Sequence, residues 1–189
     1  MARRKQTRRD IAEPDTIYQL KITLRGPKPP IWRRVQTKDC SLARLHEIIQ
    51  LAMGWQFSHL HEFEVAGESY SDPQLLDDVL SDRKMKLSHI VQVGHRNFTY
   101  VYDMGDNWEH TIQIEKTVAA EPKVKYPCCI DGARACPPED CGGVWGYVDF
   151  LNAIQNPRHK KHDEMLEWVG GKFDPEAFDA DKVNKQLRT

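Results

Sequence analysis

The chain has 189 residues, 40% hydrophobic and 29% charged, and its 27 basic and 28 acidic residues leave a net charge of -1. That length suits one domain with a small appendage and buries roughly 70% of its unfolded surface without staples. The near-even charge balance excludes bulk attraction to nucleic acid or membrane as a whole-chain property, and no apolar run approaches the roughly 20 residues that span a bilayer.

Residues 1 to 15 carry Arg3, Arg4, Lys5, Arg8 and Arg9 and almost no large apolar side chain. They read as a flexible basic tail ahead of a single domain over residues 16 to 189. A solvated terminus is the plainer account, and an arm that holds nucleic acid through those five residues is the alternative. Asp10-Ile11-Ala12-Glu13-Pro14 follows the basic run where a secretory signal would need an apolar core, so a cytoplasmic location is expected, with no membrane partner. Five cysteines, an odd count with Cys128 and Cys129 adjacent, then favour free or metal-bound thiols over a disulfide framework.

Tyr18, Leu20, Ile22 and Leu24 alternate with polar residues, the period of a half-buried strand. Gly26-Pro27-Lys28-Pro29-Pro30 interrupts, and Ile31 to Thr37 resumes, which predicts an antiparallel hairpin. Ser41 caps a predicted helix whose stripe is Leu42, Leu45, Ile48, Ile49, Ala52 and Met53, with Gly54 as its stop. Leu60 to Ala66 reads as a strand that turns at Gly67-Glu68 and pairs back through Ser69 to Ser71. Ser71 to Asp82 reads as an acidic surface loop, and Lys86 to Val93 as a short helix. Phe98 to Asp103 and Trp108 to Glu115 form a second predicted hairpin about Met104-Gly105-Asp106-Asn107. An irregular Cys-, Pro- and Gly-rich segment runs from Pro122 to Gly146. Tyr147, Phe150, Leu151 and Ile154 then mark a helix, Met165 to Val169 another, and Asp174-Pro175 the cap of a last one. Strands first and helices last predict an α+β fold: an antiparallel or mixed sheet with two hairpins, one long helix in the N-terminal half in a β-grasp-like order, and C-terminal helices.

Five groups of residues have the chemistry for a site. Cys128, Cys129, Cys136 and Cys141 lie close in sequence, and Cys129, Cys136 and Cys141 could share a zinc ion, although buried unliganded thiols explain them more simply. Asp103, Asp106, His110, Glu139 and Asp140 supply carboxylates and an imidazole suited to acid/base work or a hard metal. Turn chemistry and a core histidine account for the same pattern. His59 and His61 share a strand face and, with His110 on a neighbouring strand, would offer three nitrogens to a metal. Arg158-His159-Lys160-Lys161-His162 could touch phosphate or simply open an exposed helix. Trp145 and Tyr147, beside Gly142-Gly143, are candidate ligand-binding residues. Phosphate-binding loops, dinucleotide fingerprints, a nucleophile elbow and H-E-x-x-H are all absent.

Several longer stretches carry a resemblance. They are Ile31-Trp32-Arg33-Arg34, Leu45-His46, Met53-Gly54-Trp55 with His59-Leu60-His61-Glu62-Phe63, Tyr100 through His110, Cys136-Pro137-Pro138-Glu139-Asp140-Cys141-Gly142-Gly143 with Gly146-Tyr147, and Phe173 through Phe178. Over residues 16 to 188 the chain resembles the Ri-plasmid open-reading-frame-three-like family, often labelled as passenger proteins of mobile elements. The resemblance implies an α+β domain without an established activity, and thiols at Cys136 and Cys141 that are frequent but replaceable. A resolvase-like label carried by some relatives finds no matching constellation of nucleophile and arginines in this chain.

The expected function is a non-catalytic binding or accessory protein associated with mobile elements or nucleic acid, its cofactor unassigned, with zinc the candidate. The alternative is a metal-dependent hydrolase or nuclease in which a metal activates water and a carboxylate takes the proton.

Overall fold

The alternating stretch Tyr18 to Leu24 becomes an interior strand of the sheet. The computed structural model describes residues 15–189, so Arg3, Arg4, Lys5, Arg8 and Arg9, and the nucleic-acid arm expected of them, lie outside the described residues. In chain order the elements are β1 (Thr16–Leu24), β2 (Ile31–Lys38), α1 (Leu42–Met53), β3 (His61–Val65), β4 (Glu68–Ser71), β5 (Leu80–Ser81), α2 (Leu87–Gln92), β6 (Asn97–Tyr102), β7 (Trp108–Ala119), β8 (Cys128–Ala133), α3 (Gly143–Gln155), α4 (His162–Trp168) and α5 (Ala180–Gln186). The eight strands form one mixed sheet ordered β5-β4-β3-β6-β7-β1-β2-β8. Every pairing is antiparallel except β4 with β5. This is the expected α+β fold, with β1 between β2 and β7 and antiparallel to both.

Period-two patterning sends one side of each strand into the core. Leu20, Ile22 and Leu24 of β1, Phe63 of β3, Tyr100 and Tyr102 of β6, and Trp108 and Ile112 of β7 are buried together. α1 covers that face with Leu42, Leu45, Ile48, Ile49 and Ala52, all buried. Ser41 accepts the Arg44 amide at its start, and Gly54 closes it in the left-handed conformation. Arg33, only 3% exposed, pins the helix to the sheet. Its Nε donates to the Ala52 carbonyl (2.9 Å), and Nη1 donates to the carbonyls of Trp32 (2.8 Å) and Ala133 (3.0 Å). A guanidinium at the end of a helix satisfies a carbonyl that the last turn leaves free.

The other sheet face is polar and ordered by charge. Arg34 grips Glu115 through Nε (2.8 Å) and Nη2 (2.9 Å) and reaches Asp131 at 3.0 Å. At the edge, the Asn184 side chain of α5 accepts the Cys129 amide (2.7 Å) and donates to the Cys129 carbonyl (2.8 Å). That occupies backbone groups that an edge strand would otherwise offer to another chain.

Three local expectations change. The segment read as irregular contains β8, whose Cys-Cys-Ile-Asp-Gly-Ala sequence has no alternation and whose pairing with β2 shifts register at Arg34/Val35. The acidic loop contains β5, and Asp82 within it is buried, 2% exposed. In the N-terminal half α1 has 12 residues and α2 six, and α3 in the C-terminal half has 13. Asp174 makes a turn by accepting the Glu176 amide, and Asp179 caps α5 instead. Among the described residues no helix is long and apolar enough to cross a membrane.

Candidate functional site

Three loops meet at the end of the sheet where β6 finishes and β3 begins. The first, residues 54–60, is shaped from below by Gln50, a fully buried amide on α1. Gln50 donates to the Tyr100 hydroxyl (3.1 Å) and accepts the Phe57 amide (3.2 Å). The second is the β6–β7 turn. Asp103 opens it at φ +59, accepts the amides of Gly105 (2.9 Å) and Asp106 (3.3 Å) on Oδ1, and leaves Oδ2 free of that turn. The third is the Cys136–Gly142 loop, held down by the Trp55 indole, which donates to the Pro137 carbonyl (3.1 Å).

Tyr102 and Glu139 fasten these loops to one another. The Tyr102 hydroxyl donates to Glu139 Oε1 (2.7 Å) and accepts the Ser58 amide (3.0 Å). Glu139 Oε1 also accepts the Gln56 amide (3.0 Å). Burial and the adjacent Glu139 carboxylate raise the Tyr102 pKa, so the donor stays protonated. Asp106 closes the assembly by accepting the Gly142 amide at 3.1 Å. Gly143 sits at φ +67 so close to this turn that a Cβ there would lie 2.4 Å from the Asp106 carbonyl oxygen. Only glycine fits both conditions.

The result is a cluster of His59, Asp103 and Asp140, with one potential ligand atom from each residue and all three within 4.8 Å of one another. His59 Nε2 lies 3.0 Å from Asp140 Oδ1 and 3.6 Å from Asp103 Oδ2. The nitrogen is buried, and neither approach is aligned as a hydrogen bond, so Nε2 has no hydrogen-bond partner. Asp103 is 8% exposed, whereas Asp140 faces solvent.

Asp103 and Asp140 come from one group of sequence candidates and His59 from another, and the other histidine and cysteine candidates sit elsewhere. His61 turns away from His59. Its Nε2 is 3.0 Å from Asp82 Oδ2, and its ring stacks on His46 at 3.7 Å and 9°. Sequence patterning did not mark His46 or Asp82 as site residues, and the signals for His46 were its place beside Leu45 in the helix and the Leu45-His46 pair among the stretches that carry the family resemblance. His110 is fully buried, edge-on to Trp55 (5.4 Å, 87°), with both ring nitrogens unpartnered. The expected trio of His59, His61 and His110 is therefore not assembled, because β3 and β7 are separated by β6. Cys129, Cys136 and Cys141 form no ligand group either; the His59 cluster is the one such group among the described residues. Burial raises the Cys136 thiol, and burial with the Asp106 and Asp140 carboxylates nearby pushes Cys141 up to about 12. Tyr147 is buried against Phe150 and Phe173, while Trp145 is 83% exposed.

Three cavities border the cluster, each lined by one of its residues. His59 lines one of about 240 Å³ together with His46, His61 and Asp82. Asp140 lines two larger ones, of about 530 and about 620 Å³.

Two relatives and a family model cover about nine-tenths of the chain, and their descriptions name no activity. A protein of Sinorhizobium fredii described as uncharacterized protein y4hQ is 40% identical over 177 residues, 91% of each chain. The crystal structure of the protein of unknown function MM3350 from Methanosarcina mazei Go1 is 36% identical and superposes with a TM-score of 0.84 over 90% of this chain and 99% of that one. The model of the plasmid pRiA4b ORF-3-like protein family matches residues 16–182. The chain belongs to that family.

Proposed function

We propose that this protein is a non-catalytic binding module whose ligand site is the His59–Asp103–Asp140 cluster, and that the cluster holds a divalent cation. One observation carries the reading. A buried imidazole nitrogen with no hydrogen-bond partner faces two carboxylate oxygens at 3.0 and 3.6 Å. Donors about 2.0–2.2 Å from a metal stand about 3.0 Å apart at a right angle and about 3.4 Å apart in a tetrahedron. The 3.0 Å separation matches the right-angle edge, and the 3.6 Å one lies slightly beyond the tetrahedral edge. One nitrogen and two oxygens suit zinc or manganese better than a thiolate-loving ion. Three protein donors also leave coordination positions open to a ligand.

The hydrolase reading would require a further carboxylate free to take a proton from water. Glu139 is engaged by Tyr102 and Gln56, and Asp106 by Gly142, so the binding reading is the better supported. Association with mobile elements takes its support from the family's plasmid description, and association with nucleic acid from the five basic residues before position 10.

The test is titration calorimetry with Mn²⁺ and Zn²⁺, together with the metal content of chelator-free protein. The wild type should bind one cation per chain, and His59→Ala and Asp140→Asn should each weaken binding by more than about 100-fold, beyond the roughly 10–100-fold of an outer-shell change. A wild type that binds neither ion, or variants that bind like the wild type, would remove the reading.

A further inference from the structure

We infer that the 620 Å³ cavity beside the cluster is the seat of a phosphomonoester with a flat apolar body, its phosphate bridging the bound cation and the ammonium groups of Lys160 and Lys161. This inference rests on the cation reading above for one of its two anchors. The cavity is lined by Asp140, by His159, Lys160 and Lys161 of the basic run, and by Phe150 and Trp168. Thus a cluster donor, the basic run and an aromatic wall line a single space.

The basic run is held in a built turn. Asn156 Oδ1 accepts the Arg158 amide (3.0 Å), and the Asn156 carbonyl accepts the His159 amide (2.8 Å). The Lys161 amide donates to His159 Nδ1 (3.2 Å), so the neutral ring carries its hydrogen on Nε2 as a donor. His162 Nδ1 donates to the Ala153 carbonyl (2.9 Å) and ties the turn to α3. Lys160 and Lys161 are exposed, and neither has an ion-pair partner among the described residues.

Charge selects the ligand. The cavity's own lining holds two carboxylates, Asp140 and Asp149, against two ammonium groups. A divalent cation cancels Asp103 and Asp140. Lys160 and Lys161 then outweigh Asp149 by one positive charge. Lysine serves phosphate as a point charge, and a cation with open positions binds phosphate oxygens directly. Trp168, 46% exposed and packed edge-on against Phe150 (5.7 Å, 72°), offers a face for an apolar ring.

The experiment titrates the Mn²⁺-loaded full chain with phenyl phosphate, with benzyl alcohol as the uncharged control. Phenyl phosphate should bind and benzyl alcohol should not. Lys160→Ala with Lys161→Ala should weaken phenyl phosphate at least 10-fold and leave Mn²⁺ affinity unchanged. Affinity for phenyl phosphate unaltered by the double substitution overturns the inference, as does equal binding of benzyl alcohol. If Mn²⁺ binds but phenyl phosphate does not, the phosphate seat is refuted and the cation reading stands. Lysine-dependent phenyl phosphate binding that persists with Asp140→Asn and chelator refutes the cation anchor and supports the lysine one.

Discussion

Asp140 Oδ1 stands 3.0 Å from His59 Nε2, and the Tyr102 hydroxyl, which touches neither atom, bridges the two loops that carry them. Tyr102 accepts the amide of Ser58, the residue before His59, and donates to Glu139, the residue before Asp140. One phenol thus joins two loops that are far apart in sequence.

Removing that hydroxyl should loosen the site without emptying the core, since the Tyr102 ring stays stacked on Trp55 at 4.9 Å. Tyr102→Phe is expected to weaken Mn²⁺ binding by about 10–100-fold, the scale of an outer-shell change at a metal site. Calorimetry on the folded variant reads it, with circular dichroism to verify the fold. Unchanged affinity would show that the loops hold their spacing without Tyr102.

Acid should destabilise the fold before its carboxylates titrate. Burial holds His110 at about 3, and burial with the neighbouring His61 does the same to His46. Both stay neutral in the native state while the unfolded chain protonates near pH 6.5. The unfolded state therefore binds more protons below pH 6.5, so stability is complete above that pH and falls as the pH drops toward 3. The slope is up to about 1.4 kcal/mol per pH unit for each histidine. Urea unfolding at pH 7.5, 6.0 and 5.0 should show the decline, and His110→Gln should roughly halve it. A flat profile over that range would contradict the assignment.

The thiols should be spectators of metal binding. Cys136 and Cys141 both have raised pKa values, and all five cysteines are free. A protonated thiol is a poor nucleophile and a poor ligand. Cys136→Ser with Cys141→Ser should leave the bound metal per chain unchanged, and iodoacetamide at pH 7.5 should modify the native protein slowly. Loss of metal from the double variant would return the cysteines to the ligand set.

The basic residues before position 10 make a separate claim. Deleting residues 2 to 9 removes Arg3, Arg4, Lys5, Arg8 and Arg9. If they neutralise phosphates, duplex DNA affinity should drop. The plot of log affinity against log salt should flatten by up to about 0.9 for each phosphate that the shortened chain leaves unneutralised. An unchanged slope would leave nucleic acid without a seat on that segment.

The sequence by itself determined the elements that local pattern controls. Period-two alternation marked β1, β2, β6 and β7, and the Leu42–Met53 stripe between Ser41 and Gly54 marked α1 at both ends, because burial of one face and capping of a helix act over a few residues. It did not disclose β8, whose place comes from pairing with β2 rather than from its own Cys-Cys-Ile-Asp-Gly-Ala pattern. Nor could it choose ligand partners. His59 and His61, two apart, looked like a pair, yet His61 went to His46 and Asp82, while His59 found Asp103 and Asp140. Strand order decided that outcome: β6 lies between β3 and β7, and the Cys136–Gly142 loop is bound down by Trp55, Tyr102 and Asp106. Those interactions join segments far apart in the chain, and no local propensity encodes them.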